Sequence, residues 1–319
     1  MRPPPNSGGN QGDFQTTYNI LASLVKSTIM KLKPGFALAL MTILLWSFSA
    51  FLISRLTSFP TLLLVGVALS TGGLVGVFRY RQWRVPLKTF AVGLLGMFVY
   101  HLLLIMAFRR AQAVEVNMIN YLWPLLIVLL SPVILQGYHL RFNHIAGALI
   151  GFSGAGLIFS GGHFSLNFAS LNGYLLAAGA AVSWALYSLL TKRVAPFSSF
   201  AVGGFCLASG LLSLGLFFTS SSATHTPFPS ASPVEWLLLL LLGAGPNGIA
   251  FFLWDAALKR GDPRQIGTLT YLTPILSTFN LVVFGGQPFS YITLAALVLI
   301  VAGAVIGSLK IASKESPSF

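Results

Sequence analysis

The sequence predicts an all-α, polytopic membrane protein with ten transmembrane helices in two inverted five-helix repeats. Three observations predict this fold: apolar residues come in stretches of about 20, Lys and Arg concentrate in alternate connections, and the second half of the chain repeats motifs of the first. The composition agrees, because 55% of the 319 residues are hydrophobic and only 8% are charged. Soluble proteins carry roughly 25% charged residues.

The apolar stretches are separated by short connections that contain charged residues, glycine or proline. Each stretch is close to the length that a helix needs to cross a bilayer. Because the connections are short, we expect no soluble domain between the spans. The predicted spans cover residues 35–54, 61–78, 89–108, 114–135, 144–160, 171–191, 199–219, 234–258, 265–284 and 291–309.

The basic residues predict the orientation of these spans. With the N terminus inside, 16 of the 19 Lys and Arg residues fall in cytoplasmic segments, and only Arg55, Arg109 and Arg110 fall outside. Cytoplasmic loops of membrane proteins carry this excess. The bias predicts that both termini are cytoplasmic, with residues 1–33 and 311–319 as tails. It also accounts for the net charge of +13 without a nucleic-acid partner.

An internal repeat divides the predicted spans into two halves. Residues 120–125 read NYLWPL and residues 270–275 read TYLTPI, an offset of 150. Two further alignments in the same order join 107–110 with 257–260 and 46–55 with 184–193.

Five spans in each half force the second half to enter the membrane from the opposite side. The halves, 34–165 and 166–310, are therefore predicted to be inverted repeats, an architecture of secondary transporters that places the substrate site near the midplane. Alternating access would follow from movement of one half, or one bundle, against the other.

The ten spans, the five-plus-five repeat and the Tyr-Leu-x-Pro element in both halves resemble the EamA type of the drug/metabolite transporter superfamily. The run at 120–125, with Trp46 and Ser47 in span one, is similar to the YddG-type branch, the aromatic amino acid exporters. The resemblance implies a central cavity lined mainly by spans one, three, four, six, eight and nine. It also implies outward movement of amino acids and some xenobiotics.

Two prolines interrupt equivalent spans. Pro124 and Pro274 cannot donate to the carbonyl four residues earlier, so the carbonyls of Asn120 and Thr270 lose their helical partners. In lipid, such groups need another partner. The placement predicts two kinked helices facing the cavity, in which the prolines act as hinges or the freed carbonyls contact the solute.

Aromatic residues within the spans predict the substrate site. Trp and Tyr normally collect at the membrane interfaces, whereas several here lie in mid-span, which favours a cavity that stacks against a planar solute. The alternative for at least half of them is packing between helices or a place in the interfacial aromatic belt. For Tyr121 and Tyr271, which are repeat-related, the alternative is a role as structural partners. The predicted substrate-binding aromatics are Trp46, Tyr100, Tyr121, Trp184, Tyr187, Trp254 and Tyr271.

Three polar residues complete the predicted substrate-binding set. A histidine inside a membrane favours a functional role, so His101 is expected to bond a carboxylate or phenol when neutral, or to couple transport to pH when protonated. Asn117 and Asn120 share one helix face and offer donors and acceptors that suit a zwitterion. Hydrogen bonds between helices are the alternative for all three.

Few acidic residues could lie within the spans. Glu115 is expected to be solvated beside Arg109 and Arg110, and Asp255 to pair with Lys259 one helical turn away. Ion-driven pumps keep carboxylates in the membrane core. The sequence therefore favours a facilitator or a weakly coupled exporter.

The predicted function is export of amino acids, aromatic or neutral hydrophobic, by alternating access through a central cavity. The alternative is a broad-specificity drug or metabolite exporter of the same fold. The chain is not expected to be an enzyme, because it has no phosphate-binding glycine loop, no paired-histidine zinc spacing and no Ser-His-Asp set. A channel is disfavoured because no ring of like charges is evident.

The expected surroundings follow from this function. We expect a monomer in the cell membrane, which is the inner membrane in a host with two. Its partners are the lipid bilayer and a small-molecule amino acid substrate, and we expect no nucleic acid, cofactor or metal.

Overall fold

The computed structural model describes residues 34–163, 168–224, 228–284 and 291–308, and no strand occurs within these ranges. The two predicted tails lie outside the described residues. The regular structure is therefore helical, as the sequence predicts.

Fourteen α-helices follow one another in the described residues. They are α1 Pro34–Ser47, α2 Ser49–Ser54, α3 Thr61–Val75, α4 Leu87–Phe108, α5 Ala113–Asn120, α6 Leu122–Ile134, α7 Phe142–Ser160, α8 Leu171–Leu190, α9 Val202–Thr224, α10 Pro233–Ala244, α11 Ala250–Arg260, α12 Pro263–Leu269, α13 Leu272–Val283 and α14 Tyr291–Ser308. Short 3-10 turns occur at Val77–Trp83, Phe168–Ser170 and Ser199–Ala201, and a π-helical turn, Gly245–Ile249, joins α10 to α11.

Seven helices within the described ranges are long and apolar enough to cross a membrane. An eighth is added if Thr61–Val75 and the 3-10 turn after it, bent by 85°, count as one span. The apolar part of α14, Leu294–Gly307, is shorter. A multi-pass membrane protein is therefore confirmed, whereas the count of ten spans stays a prediction.

The two repeat-related prolines lie just after local helix breaks. Pro124 is the third residue of α6 and Pro274 the third of α13. The first N–H groups of a helix have no intrahelical partner, so proline removes no hydrogen bond there. The Thr270 carbonyl is not left free, because it accepts from the Thr273 N–H at 2.9 Å. That part of the prediction is wrong, and the hinge role of both prolines stays a prediction.

Long-range packing joins the first half of the chain to the second. The helix α3 packs on α9 and α7 on α14, while α1 packs on α11 and on α13, and α4 and α6 both pack on α8. These contacts leave no separate unit for either half, so the interior is shared between them.

Glycines bring α7 and α14 into close approach. A Cβ added to Gly303 would lie 2.6 Å from the Gly147 carbonyl oxygen and 2.6 Å from the Gly151 nitrogen. Small residues permit this backbone proximity between membrane helices.

We expect Gly303→Leu to lower the free energy of unfolding by about 1–3 kcal/mol, because the added side chain meets backbone atoms that cannot move aside. The measurement is the melting temperature of the purified protein in detergent. The control is Gly215→Leu, since a Cβ on Gly215 meets nothing within 4 Å. Equal melting temperatures for the two variants would contradict the prediction.

Asp255 and Glu115, the two acidic residues considered within the spans, differ in whether their carboxylates have a partner. Asp255 forms the predicted ion pair, with its Oδ2 2.6 Å from Lys259 Nζ. Glu115 is only 7% exposed, and its Oε2 has no hydrogen-bond partner in the described part of the chain. The expectation of a solvated Glu115 is wrong, because α5 packs against α7 and α8 and the Glu115 side chain is buried there.

Candidate functional site

Aromatic rings from five helices meet in the interior. We call this group the aromatic cluster; it consists of Trp46 on α1, Tyr100 on α4, Trp123 on α6, Trp184 and Tyr187 on α8, and Phe251 and Trp254 on α11. The ring centroids of Trp46 and Trp254 lie 5.3 Å apart, and those of Tyr100 and Trp184 lie 5.0 Å apart. Most pairs are tilted or edge-to-face, the arrangement that aromatic quadrupoles prefer.

Trp184 lies at the centre of the aromatic cluster. Its ring contacts Tyr100, Tyr187 and Phe251 at centroid distances of 5.0, 5.4 and 5.4 Å. It also contacts Trp46 at 6.1 Å and Trp123 at 6.4 Å. The rings pack against one another in this conformation, so a planar solute would have to separate them.

The indole N–H groups of Trp46 and Trp254 are both hydrogen-bonded to other helices or turns. Trp46 Nε1 donates to the Pro246 carbonyl at 3.1 Å, and Trp254 Nε1 donates to Ser188 Oγ at 3.1 Å. Pro246 lies in the π-helical turn, a type of turn that interrupts helices at functional sites. These bonds fix the two ring planes and connect α1 to the break between α10 and α11.

Unpaired polar atoms lie at the edge of the aromatic cluster. Asn120 Nδ2 donates to Tyr100 Oη at 3.4 Å, which places Asn120 in contact with the cluster. Asn120 Oδ1 and Tyr187 Oη are buried, and neither has a hydrogen-bond partner in the described residues. An unsatisfied buried polar atom costs about 1–3 kcal/mol, so both atoms are candidates to bind a polar group of a solute.

His101 adjoins the aromatic cluster with a defined tautomer. Its Nδ1 lies 2.8 Å from the Met97 carbonyl oxygen, and its ring contacts that of Tyr100 at 4.9 Å. Because a carbonyl only accepts, Nδ1 must carry the proton, and the neutral ring leaves Nε2 as an acceptor. The expectation that neutral His101 bonds a solute carboxylate is therefore wrong for this conformation. A bond to a phenol stays a prediction, because Nε2 can accept from a phenol O–H as it can from an ammonium or N–H group.

The remaining predicted residues lie apart from the aromatic cluster or at its margin. Tyr271 Oη donates to the Tyr121 carbonyl at 3.4 Å, and the Tyr121 ring packs on Phe159 at 4.9 Å. These two tyrosines form a second packed group with α7, so the structure does not bring them to Trp184. Asn117 is half-buried one turn before Asn120 on α5.

Like Trp123, Phe251 belongs to the aromatic cluster but was not among the predicted substrate-binding residues. It lies three positions before Trp254 in the sequence, on the same face of α11. This spacing could have indicated it. No pattern in the sequence indicates that the Pro246 carbonyl accepts a hydrogen bond from Trp46, because this bond forms only where α1 packs against the π-helical turn.

A hydrogen-bonded group lies at the end of the helices that the basic residues predict to be cytoplasmic, and we call it the inner-face network. Lys192 Nζ, just after α8, donates to the carbonyls of Leu258 and Gly261 at 2.6 and 3.0 Å. Lys192 Nζ also lies 5.7 Å from the centroid of the Tyr138 ring, in the connection between α6 and α7. A cation at these carbonyls complements the C-terminal end of α11.

Arg264 completes the inner-face network. Its Nε and Nη2 bond the two oxygens of Asp262 at 3.0 and 2.6 Å, its Nη1 donates to the His139 carbonyl, and its guanidinium lies 5.1 Å from the Tyr138 ring centroid. The bidentate geometry is the strong form of this pair. Three connections, α6–α7, α8–α9 and α11–α12, are thereby tied together.

The network shifts the pKa values of its members. Burial alone would raise the pKa of the Asp262 carboxyl, but the hydrogen bonds and charge of Arg264 outweigh burial and lower that pKa below its usual range. Burial lowers the pKa of the Lys192 ammonium, and the negative charge of Asp262 opposes this shift. Burial also raises the pKa of the Tyr138 phenol.

Comparison with known proteins decides the family. The sequence profile of the EamA-like transporter family matches residues 33–160 and again residues 171–309. The chain belongs to the EamA-like transporter family. It is 39% identical over 279 residues to the aromatic amino acid exporter YddG of Ancylobacter novellus, a match that covers 84% of this chain and 94% of that protein.

More distant relatives differ in their named substrates. This EamA-like transporter is 27% identical to the aromatic amino acid exporter YddG of Escherichia coli K12, over 73% of this chain and 80% of that protein. It is also 27% identical to a biotin transporter of Salmonella typhimurium LT2, over 82% of this chain and 90% of that protein. A solved crystal structure superposes with a TM-score of 0.79 at 37% identity, covering 86% of this chain and 96% of that one.

Proposed function

We propose that this EamA-like transporter exports aromatic amino acids across the cell membrane by alternating access. The observation that carries the proposal is the aromatic cluster, because five helices supply rings to one place. A planar side chain can replace ring–ring contacts with contacts of the same kind. Aromatic amino acid exporters among the relatives support the same substrate class.

The polar atoms around the cluster support an amino acid as the solute. Asn120 Oδ1 and the Nε2 of neutral His101 can accept from an ammonium group, whereas Tyr187 Oη can donate to a carboxylate. A zwitterion needs both kinds of partner. The predicted site residues Trp46, Tyr100, His101, Asn117, Asn120, Trp184, Tyr187 and Trp254 belong to this proposal, with Tyr121 and Tyr271 as supports of the helix breaks beside it.

Alternating access is proposed from the two-fold pattern of helix packing. If spans one to five exchange with spans six to ten, the α1–α11 contact exchanges with α8–α4, and the α6–α8 contact exchanges with α13–α1. The contacts α3–α9 and α7–α14 are unchanged by the exchange. Two separate family matches also support inverted repeats at 34–165 and 166–310.

A facilitative mechanism is proposed from the charges. Asp255 is neutralised by Lys259. Glu115 is the one buried carboxylate in the described spans that lacks an ion pair, and it is the first residue of its span rather than a residue of the membrane core. The test is proteoliposomes with an imposed pH gradient and no solute gradient. We expect no uphill accumulation of tryptophan, and accumulation would contradict the facilitative proposal.

The substrate class is tested by counterflow with purified protein in liposomes. Radiolabelled tryptophan and phenylalanine should exchange faster than in protein-free liposomes, whereas threonine and a sugar should exchange more slowly than either. If neither aromatic amino acid moves faster than the leak, the proposed substrate class is wrong.

A broader metabolite exporter is the second candidate, favoured by the similarity to a biotin transporter. The same assay separates the two. Excess unlabelled phenylalanine should suppress tryptophan exchange, and excess biotin should not. Suppression by biotin at the same concentration would favour the broader exporter.

A further inference from the structure

The structure contains a cavity outside the aromatic cluster. It has a volume of about 330 Å³ and is lined by α3, α4 and α9 at the end of the helices where Arg109 lies. This volume is in the range of small-molecule sites. We call it the outer cavity; its walls are Leu62, Leu102, Ile105, Met106, Arg109, Leu216, Thr219 and Ser220.

The lining has the chemistry of a zwitterion with an apolar side chain. The exposed guanidinium of Arg109 has no ion pair or hydrogen bond within the described ranges, so its donors are available to a carboxylate. Thr219 Oγ1 donates to the Gly215 carbonyl at 2.9 Å, which leaves its oxygen as an acceptor for an ammonium group. Leu102, Ile105 and Met106 supply an apolar wall along one face of α4.

A second, narrow cavity adjoins the outer cavity. It has a volume of about 10 Å³ and shares Leu62, Leu102 and Ile105 with the outer cavity. His101 also lines it, and the His101 ring contacts the Tyr100 ring of the aromatic cluster. The narrow cavity has room for about one water molecule. The buried hydroxyl of Ser209 lines it and has no partner in the described residues. Residues shared between the two cavities, together with His101, therefore link the lining of the outer cavity to the aromatic cluster.

We propose that the outer cavity is a second binding site for the exported amino acid, where Arg109 binds the carboxylate and α4 binds the apolar side chain before release. This proposal rests on the proposed function for the substrate class. The solute would thus bind at a second place outside the aromatic cluster, beside Leu62, Leu102 and Ile105, which line both cavities.

Protection from thiol labelling tests the site directly. Met106→Cys introduces a reactive thiol, and the native Cys206 is fully buried, so background labelling is low. Proteoliposomes with the outer face outward are treated with a membrane-impermeant thiol reagent. We expect external phenylalanine to slow the labelling of Met106→Cys about tenfold. In the double variant Met106→Cys/Arg109→Gln we expect this protection to be lost, because a hydrogen bond to a charged group is worth about 1.5–3 kcal/mol.

Arg110→Gln is the matched control. Arg110 adjoins Arg109 in the sequence and is exposed, but its Nη1 donates to the Met106 carbonyl at 3.3 Å and it does not line the cavity. Protection by phenylalanine should persist in this variant. An equal loss of protection in the Arg109→Gln and Arg110→Gln variants would indicate a general effect of positive charge and would contradict the proposed outer site.

Other outcomes separate the inference from the proposed function. If phenylalanine exchanges across the membrane but does not slow labelling, the outer site is wrong and the exporter stands. If phosphatidylglycerol slows labelling and phenylalanine does not, the cavity binds lipid and the outer site is wrong. If phenylalanine does not exchange at all, the proposed substrate class is wrong, and the outer site for that solute is wrong with it.

Discussion

Trp184→Ala should reduce tryptophan counterflow about tenfold or more while the protein still folds. Trp184 contacts five other rings of the aromatic cluster, and each aromatic pair is worth about 0.5–1.5 kcal/mol beyond its buried area. Its loss removes the surface against which a planar solute would stack. The measurement is the initial rate of counterflow per mole of protein in proteoliposomes.

Two variants separate stacking from stability. Trp184→Phe keeps an aromatic face and should retain most of the rate. Trp236→Ala removes a tryptophan of α10 that packs on Phe59 at 4.8 Å, away from the aromatic cluster. We expect near-normal counterflow in this control once the amount of folded protein is matched by size-exclusion chromatography. Equal losses for Trp184→Ala and Trp236→Ala would contradict a solute site at the cluster.

Lys192→Met should open the inner face. The ammonium holds two carbonyls at the end of α11 and in the connection after it, so the substitution leaves both without this donor. Hydrogen bonds to a charged group are worth about 1.5–3 kcal/mol, which corresponds to a population shift of about tenfold or more. We expect a state that is open to the cytoplasm to become more populated.

The measurement is labelling of Ala257→Cys, because Ala257 is fully buried in the last turns of α11. A thiol reagent applied from the cytoplasmic face should label this variant about tenfold faster in the Lys192→Met background. Lys88→Met is the control, since Lys88 is an exposed lysine at the start of α4 that belongs to no part of the inner-face network. Unchanged labelling in Lys192→Met would show that the network does not close the inner face.

The inner-face network could be predicted only in part. The basic residues Lys192 and Arg264 were placed on the inner side by charge counting, but their partners are main-chain carbonyls and a tyrosine from other connections. Every residue has a main-chain carbonyl, so the sequence cannot distinguish the carbonyls that accept from these cations. Only the meeting of three connections shows that these cations bond to particular atoms rather than to water.

Errors in the predicted site have the same origin. His101 was expected to bond a carboxylate or a phenol, but a main-chain carbonyl of its own helix already uses the donor that a carboxylate needs. Glu115 was expected in solvent because arginines precede it, but its helix packs against α7 and α8 and its side chain is buried. In both cases the neighbours in space, rather than those in the sequence, set the environment of the group.

The sequence by itself determined the membrane character, the helical class and the family. The length of an apolar stretch and the distribution of Lys and Arg between loops depend only on position along the membrane normal. Both can therefore be determined without knowing how the helices pack against one another. The NYLWPL run and the profile matches depend on residue identity alone.

The tertiary structure decided which faces of the helices meet. Trp46, Trp184 and Trp254 converge, whereas Tyr121 and Tyr271 pair elsewhere, although all five lie within apolar spans. The rotation of each helix is set by close approaches such as that of Gly147 to Gly303, which involve residues far apart in the chain. Hydropathy is nearly uniform around α7 and α14, so no periodic pattern could have selected the facing sides of these two helices in advance.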